Sequence, residues 1–218
     1  MADTRFRAVR WTPPPPSRPV PRRSDPRTLP SLRRIPLPGE GPEHLALDAS
    51  GDIVAGLADG RIVSVPPDAT DAGQARLLAD TGGRPLGIER QGDDAFVVCD
   101  AGRGLLRVET SPRPSVEVLC DTVGGDRLTL CSNVAVAGDG TIYFTQSSRR
   151  FGLERYKADL LEHTATGRVM RYRDGAADVL LDGLHFANGV VVAPDGQSLI
   201  VAETGGYRLV RLWLTGPM

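Results

Sequence analysis

The chain has 218 residues, 40% of them hydrophobic but only 5% aromatic, with 25 glycines, 18 prolines and a formal net charge of −1. That length allows one sizeable core in one or two domains, and the glycine and proline counts point to many turns. No run approaches the roughly 18 uninterrupted apolar residues of a spanning helix, and Cys99, Cys120 and Cys131 form neither an even framework nor a CxxC pair, so the reading is a cytoplasmic protein with reduced thiols, no membrane partner and no zinc.

The first 34 residues stand apart. They hold nine arginines against Asp3 and Asp25, which leaves 26 − 9 = 17 basic and 27 − 2 = 25 acidic residues for the rest. "WTPPPPSRPVPRR" cannot bury enough apolar surface to fold, and its prolines favour extended polyproline geometry. Aromatic residues are not interleaved with the arginines beyond Phe6 and Trp11, so no nucleic-acid partner is expected. Residues 1–34 are read as a basic extended arm on a globular body, residues 35–218.

The body repeats. "ARLLAD", "VEVLCD" and "ADVLLD" end at Asp80, Asp121 and Asp182, and each leads through a glycine-bearing turn into a new apolar strand. Four such units follow in chain order, beginning at "EHLALDASGDIVAGLADGRIVSV", "RPLGIERQGDDAFVVCDAGRGLLRV", "SNVAVAGDGTIYFT" and "ANGVVVAPDGQSLIVAETGGYRLVRLW". Short antiparallel strands recurring every 40 to 50 residues or so are the signature of a β-propeller. Each blade buries both faces, which accounts for continuous apolar runs such as "VVVA" and "LIVA". The first two endings are 121 − 80 = 41 residues apart and the next two 182 − 121 = 61, so the third unit carries an insertion. "LERYKADLLEH" supplies it: Leu153, Tyr156, Leu160 and Leu161 fall at helical spacing, predicting a helix over Leu153–Leu161 that caps the channel mouth, with Glu154, Arg155 and Lys157 outward.

In a propeller the first strand of each blade lines the central channel. Glu43, Pro85, Asn133 and Asn188 stand at corresponding strand starts, 42, 48 and 55 residues apart. Three of the four offer oxygen donors, a hard set suited to Ca²⁺. Asn188 is then expected to turn its amide into the channel, with Gly189 letting the backbone bend to present it.

The segments "LPGEGPEHLALD", "GLADGRI", "GGRPLGI", "DGTIYFTQSS", "LLDGLHFANGVVVAPDG" and "VAETGGYRLVRLWLTGP" resemble the superfamily of six-bladed propellers that contains gluconolactonase and the regucalcin-like senescence-marker proteins, most closely its strictosidine-synthase-like branch. The resemblance runs from about Leu29 to Pro217. It implies an all-β, six-bladed plan of which about four blades are present, with one short helical insertion in the third. It places the family's metal-binding glutamate on Glu43 and the asparagine of its "PNG" element on Asn188, here preceded by Ala187. The asparagine of the third blade falls on Asn133, followed by Val134 where relatives often have aspartate. A further aspartate ligand belongs to the next blade, beyond "WLTGPM". A fragment or truncated gene product is expected, against a chain completed by another copy or a true four-bladed ring, with Tyr207 to Leu214 open as an edge for self-association.

The activity that the resemblance implies is Ca²⁺-dependent hydrolysis of a small-molecule lactone or simple ester, impaired in the truncated form. The alternatives are the carbon–nitrogen condensation of true strictosidine synthases and a non-catalytic binding module. No general base is identified; His185, three residues before Asn188, is the one candidate near the mouth, while His44 points away from the channel and Ser147 lacks a Ser/His/Asp order.

Overall fold

A computed structural model describes residues 9, 10, 12 and 32–215. The expected arm therefore lies mostly outside the described residues; within it, the Val9 N–H donates to the Leu161 carbonyl at 3.0 Å. The body is a run of four propeller blades. Blade 1 is the sheet β1 (Leu45–Leu47), β2 (Ile53–Gly56), β3 (Arg61–Val65) and β4 (Arg76–Asp80), paired in chain order. Blade 2 repeats this with β5 (Pro85–Arg90), β6 (Ala95–Asp100), β7 (Gly104–Glu109) and β8 (Ser115–Cys120). Blade 3 comprises β11 (Cys131–Val136), β12 (Ile142–Gln146), β13 (Gly167–Arg173) and β14 (Ala176–Leu184), and follows a small hairpin of β9 (Thr122–Val123) and β10 (Asp126–Arg127). Blade 4 has three described strands, β15 (Ala187–Val192), β16 (Ser198–Glu203) and β17 (Arg208–Trp213), one fewer than the others.

The core is a series of layers between blades. Successive strand residues face opposite sides of a sheet, so in β6 Phe96 and Val98 pack with Val54, Ile62 and Leu78 of blade 1, while Val97 and Cys99 pack with Val134, Phe144 and Met170 of blade 3. Every residue of β6 is consequently buried, and the alternation that marks a one-sided strand disappears. The third layer joins Ala135, Val169 and Leu184 of blade 3 to Val190, Leu199 and Val201 of blade 4. All three cysteines are free thiols, with Cys99 and Cys131 in the core and Cys120 half-buried; burial and the adjacent Cys99 raise the pKa of the Cys131 thiol.

The long third repeat has two causes. Part of its extra length is the β9–β10 hairpin, whose turn places Gly124 and Gly125 at positive φ. The rest is the helical insertion, a 3₁₀ turn over Leu153–Arg155 followed by α1 (Tyr156–Glu162). Its buried side differs from the amphipathic pattern: Leu161 is exposed, whereas Asp159 and Glu162 are buried. Asp159 accepts from the Thr164 hydroxyl at 2.5 Å and Glu162 pairs with Arg150 at 2.9 Å, so the helix is anchored by buried carboxylates that hydropathy spacing reads as solvent-facing. No described helix is long and apolar enough to cross a membrane.

Candidate functional site

The first strands of blades 2, 3 and 4 share a defect. Each carries a register shift at its start, between Pro85 and Gly87, Cys131 and Val134, and Ala187 and Val190. Such a bulge bends the strand and re-aims a side chain. Pairing to the second strand sets the equivalences, since Pro85, Cys131 and Ala187 oppose Asp100, Gln146 and Glu203. Leu86, Ser132 and Asn188 therefore correspond, and these three line one cavity of about 430 Å³ together with Glu43 of the blade 1 loop.

Two of the three expected ligands, Glu43 and Asn188, thus meet in this cavity, while Asn133 and Pro85 are not among its lining residues. Asn133 sits one residue further along the bulge, where its Oδ1 accepts the Val190 N–H at 3.4 Å. His44 does the same one blade earlier, its Nδ1 accepting the Ile88 N–H at 3.1 Å. Both side chains therefore seal a contact between neighbouring blades, and Ser132 takes the cavity position expected of Asn133. A sequence signal for this exists: Glu43, Ser132 and Asn188 each stand eight positions before a hairpin-turn glycine, Gly51, Gly140 and Gly196, all at positive φ.

Asn188 is held from both ends. The Ser132 hydroxyl donates to its Oδ1 at 3.2 Å, and its Nδ2 donates to the Thr204 hydroxyl at 3.3 Å. Thr145, fully buried, accepts the Asn133 N–H at 3.1 Å and donates to the Asn188 carbonyl at 2.7 Å, so one hydroxyl fixes both bulges. Gly189 has no left-handed φ, and an added Cβ would meet nothing closer than Ala202 at 3.8 Å. The bulge, not the freedom of Gly189, presents the amide. Close approach matters instead at Gly87, where a Cβ would lie 2.7 Å from the Asn133 Cα.

Glu43 is positioned through its loop. Arg84 donates from Nη2 to the Gly41 carbonyl at 2.6 Å and from Nη1 to the Pro85 carbonyl at 3.2 Å, tying the Gly41–Glu43 turn to blade 2. The far wall is apolar. Leu86, Leu130 and Phe186 cluster with Leu153 and Leu160 of the insertion, and Tyr156 tilts against Phe186 with ring centroids 6.4 Å apart. The insertion thus forms a lid on the cavity, as its place in the sequence suggests.

His185 is absent from the lining residues. Its Nδ1 lies 3.2 and 3.1 Å from the carbonyls of His163 and Thr164, and its ring stacks on His163 at 4.0 Å. It secures the end of α1. Ser147 does line the cavity, but its hydroxyl donates to the Ala187 carbonyl at 2.7 Å.

Carboxylate, amide and hydroxyl are the polar oxygen groups of the lining, and no thiol or imidazole joins them. That set fits a hard divalent cation. It carries one carboxylate, and no cluster of three His, Cys, Asp or Glu residues exists among the described residues.

Comparison with known proteins agrees with this architecture. Residues 132–217 match the family model of strictosidine synthase, and residues 27–65 that of the strictosidine synthase-like N-terminal region. Protein STRICTOSIDINE SYNTHASE-LIKE 6 of Arabidopsis thaliana is 35% identical over 180 residues, covering 80% of this chain and 48% of that protein. The adipocyte plasma membrane-associated protein of Salmo salar is 34% identical over 195 residues, covering 81% and 45%. The chain spans about half the length of these curated relatives. Among solved structures, a gluconolactonase from Xanthomonas campestris superposes with TM-score 0.63 at 22% identity over 80% of this chain and 58% of that one. The calcium-binding protein regucalcin from Agrobacterium tumefaciens superposes with TM-score 0.60 at 15% identity over 80% and 54%. These distant likenesses carry the fold. The family matches and the curated relatives place the chain in the strictosidine synthase-like family, with a propeller fold of the kind seen in gluconolactonase and regucalcin.

Proposed function

We propose that the cavity is part of a divalent-cation-dependent hydrolase site for esters or lactones that carry an apolar acyl or aryl group. The observation that supports this most is the division of one cavity into an oxygen-donor side, with Glu43, Ser132 and Asn188, and an apolar side under the lid. Glu43 and Asn188, with Ser132 behind the amide, would hold Ca²⁺. Such an ion supplies polarisation of the ester carbonyl and stabilisation of the developing oxyanion. The protein's own groups do the rest. Ser132 and Thr204 fix the Asn188 amide, Arg84 fixes the loop of Glu43, and Leu153, Tyr156 and Leu160 exclude water and seat the apolar group. A polyhydroxylated substrate would leave its hydroxyls unpaired against this wall, which disfavours it.

The regucalcin and gluconolactonase likenesses support this reading at the level of fold. The strictosidine synthase family match supports a second one, carbon–nitrogen condensation. A calorimetric Ca²⁺ titration with a panel of aryl esters, aliphatic lactones and sugar lactones tests the first. Glu43→Gln is expected to weaken Ca²⁺ binding by about tenfold or more, because affinity follows ligand charge, and to lower apolar-ester turnover in parallel. Turnover that persists in chelator, or is unchanged in Glu43→Gln, would overturn it. Carbon–nitrogen condensation without ester turnover would select the second.

A further inference from the structure

Blade 4 has no fourth strand among the described residues, and β17 pairs there with β16 alone. The other blades show what the open place accepts. Asp100, Gln146 and Glu203 stand at equivalent points of the second strands, and three residues before each lie Val97, Tyr143 and Ile200. These oppose Arg107, Arg171 and Arg211 of the third strands. The three arginines therefore correspond.

Two of them face an acid on the fourth strand. Arg107 stands opposite Glu117 and Arg171 opposite Asp178, the latter as a two-point ion pair in which Nε donates to Oδ1 at 3.0 Å and Nη2 to Oδ2 at 3.1 Å. In blade 1 the corresponding residue is Ser64, and it faces Arg76; where the arginine is absent, so is the acid. On either side of the acid the fourth strand is apolar, with Val116 and Val118 in blade 2 and Ala177 and Val179 in blade 3. Their cross-strand neighbours Leu106, Val108 and Met170 are fully buried, whereas Val210 and Leu212, which flank Arg211, are only half-buried. Arg211 itself is exposed. Its guanidinium lies 5.1 Å over the Trp213 ring and pairs with no carboxylate among the described residues.

We propose that the open edge of β17 docks an extended segment of a partner polypeptide in which one acidic residue stands between two apolar ones. The Asp or Glu lies opposite Arg211, and the apolar side chains lie opposite Val210 and Leu212. Backbone hydrogen bonds along the added strand supply the affinity, and attraction between unlike charges directly across the ladder sets the register. No residue of β17 lines the Glu43 and Asn188 cavity, so the proposal does not depend on the hydrolase reading.

The probe is a synthetic peptide with the nine-residue β14 sequence, Ala176–Leu184, labelled and titrated with the full chain by fluorescence anisotropy, beside the same peptide carrying Asp178→Lys. Saturable binding of the first is expected, with the lysine peptide about fivefold weaker. In Arg211→Glu, an exposed position, the order of the two peptides should reverse, with thermal unfolding used to verify that the variant is folded. No saturable binding, equal binding of the two peptides, or an order unchanged in Arg211→Glu would overturn the proposal. Self-association of the chain with neither peptide bound would assign the edge to a second copy and overturn it as well.

Discussion

At the residue scale, His44 and Asn133 show how a polar side chain near a site can be structural. Each supplies an acceptor to a backbone N–H of the next blade, Ile88 or Val190. Removing the acceptor in Asn133→Ala should cost about 1 kcal/mol of stability, the usual penalty for an orphaned buried donor, and leave Ca²⁺ affinity unchanged. Ser132→Ala should do the reverse, loosening the Asn188 amide with little change in stability. Urea unfolding and Ca²⁺ titration of the two variants separate the roles. His44 adds a pH dependence. Burial lowers its pKa from the ordinary 6.5, and the Ile88 bond requires a neutral Nδ1. The unfolded chain therefore takes up the proton more readily, so this stabilisation is full above pH 6.5 and is lost as pH falls through the lower folded value. Unfolding at pH 7 and pH 5 should show it, and His44→Asn, which keeps an acceptor, should remove that part of the slope.

At the element scale, the lid joins an apolar inner surface to polar anchors. Leu153 and Leu160 reach the Leu86, Leu130 and Phe186 cluster, while Asp159 and Glu162 hold the helix through Thr164 and Arg150. Burial raises the Asp159 pKa, partly offset by hydrogen bonds from Ser148 and Thr164. Asp159→Ala should free the lid without disturbing the propeller. On the hydrolase reading, KM for an apolar ester then rises several-fold, about the worth of one or two buried methylenes, while kcat and Ca²⁺ affinity change little. An unchanged KM would make the helix decorative.

At the scale of the whole molecule, the two end blades present apolar residues outward. Leu45 and Leu47 are exposed on blade 1, and Val191, Leu209 and Trp213 on blade 4, where β17 pairs with β16 alone among the described strands. Inner strands of blades 2 and 3 bury the same kind of residue against a neighbour. An unpaired edge beside exposed apolar side chains favours association. The 218-residue chain expressed alone is therefore expected to self-associate with rising concentration, and a double substitution, Leu209→Lys with Trp213→Ser, to shift it towards monomer. Light scattering decides the matter: a monodisperse monomer across the concentration range would rule association out.

The sequence by itself determined the repeat, the propeller class and the insertion at Leu153, because these depend on composition and on spacings tens of residues long. Tertiary structure decided the register within each strand start. A bulge inserts one residue, and since side chains alternate in a strand, that one residue exchanges the channel for the blade interface. Asn133 and Ser132 changed places for that reason. The lid's buried face was likewise beyond hydropathy, because Asp159 and Glu162 are buried only where Thr164 and Arg150, on the two flanks of the insertion, turn in to satisfy their charge and hydrogen bonds.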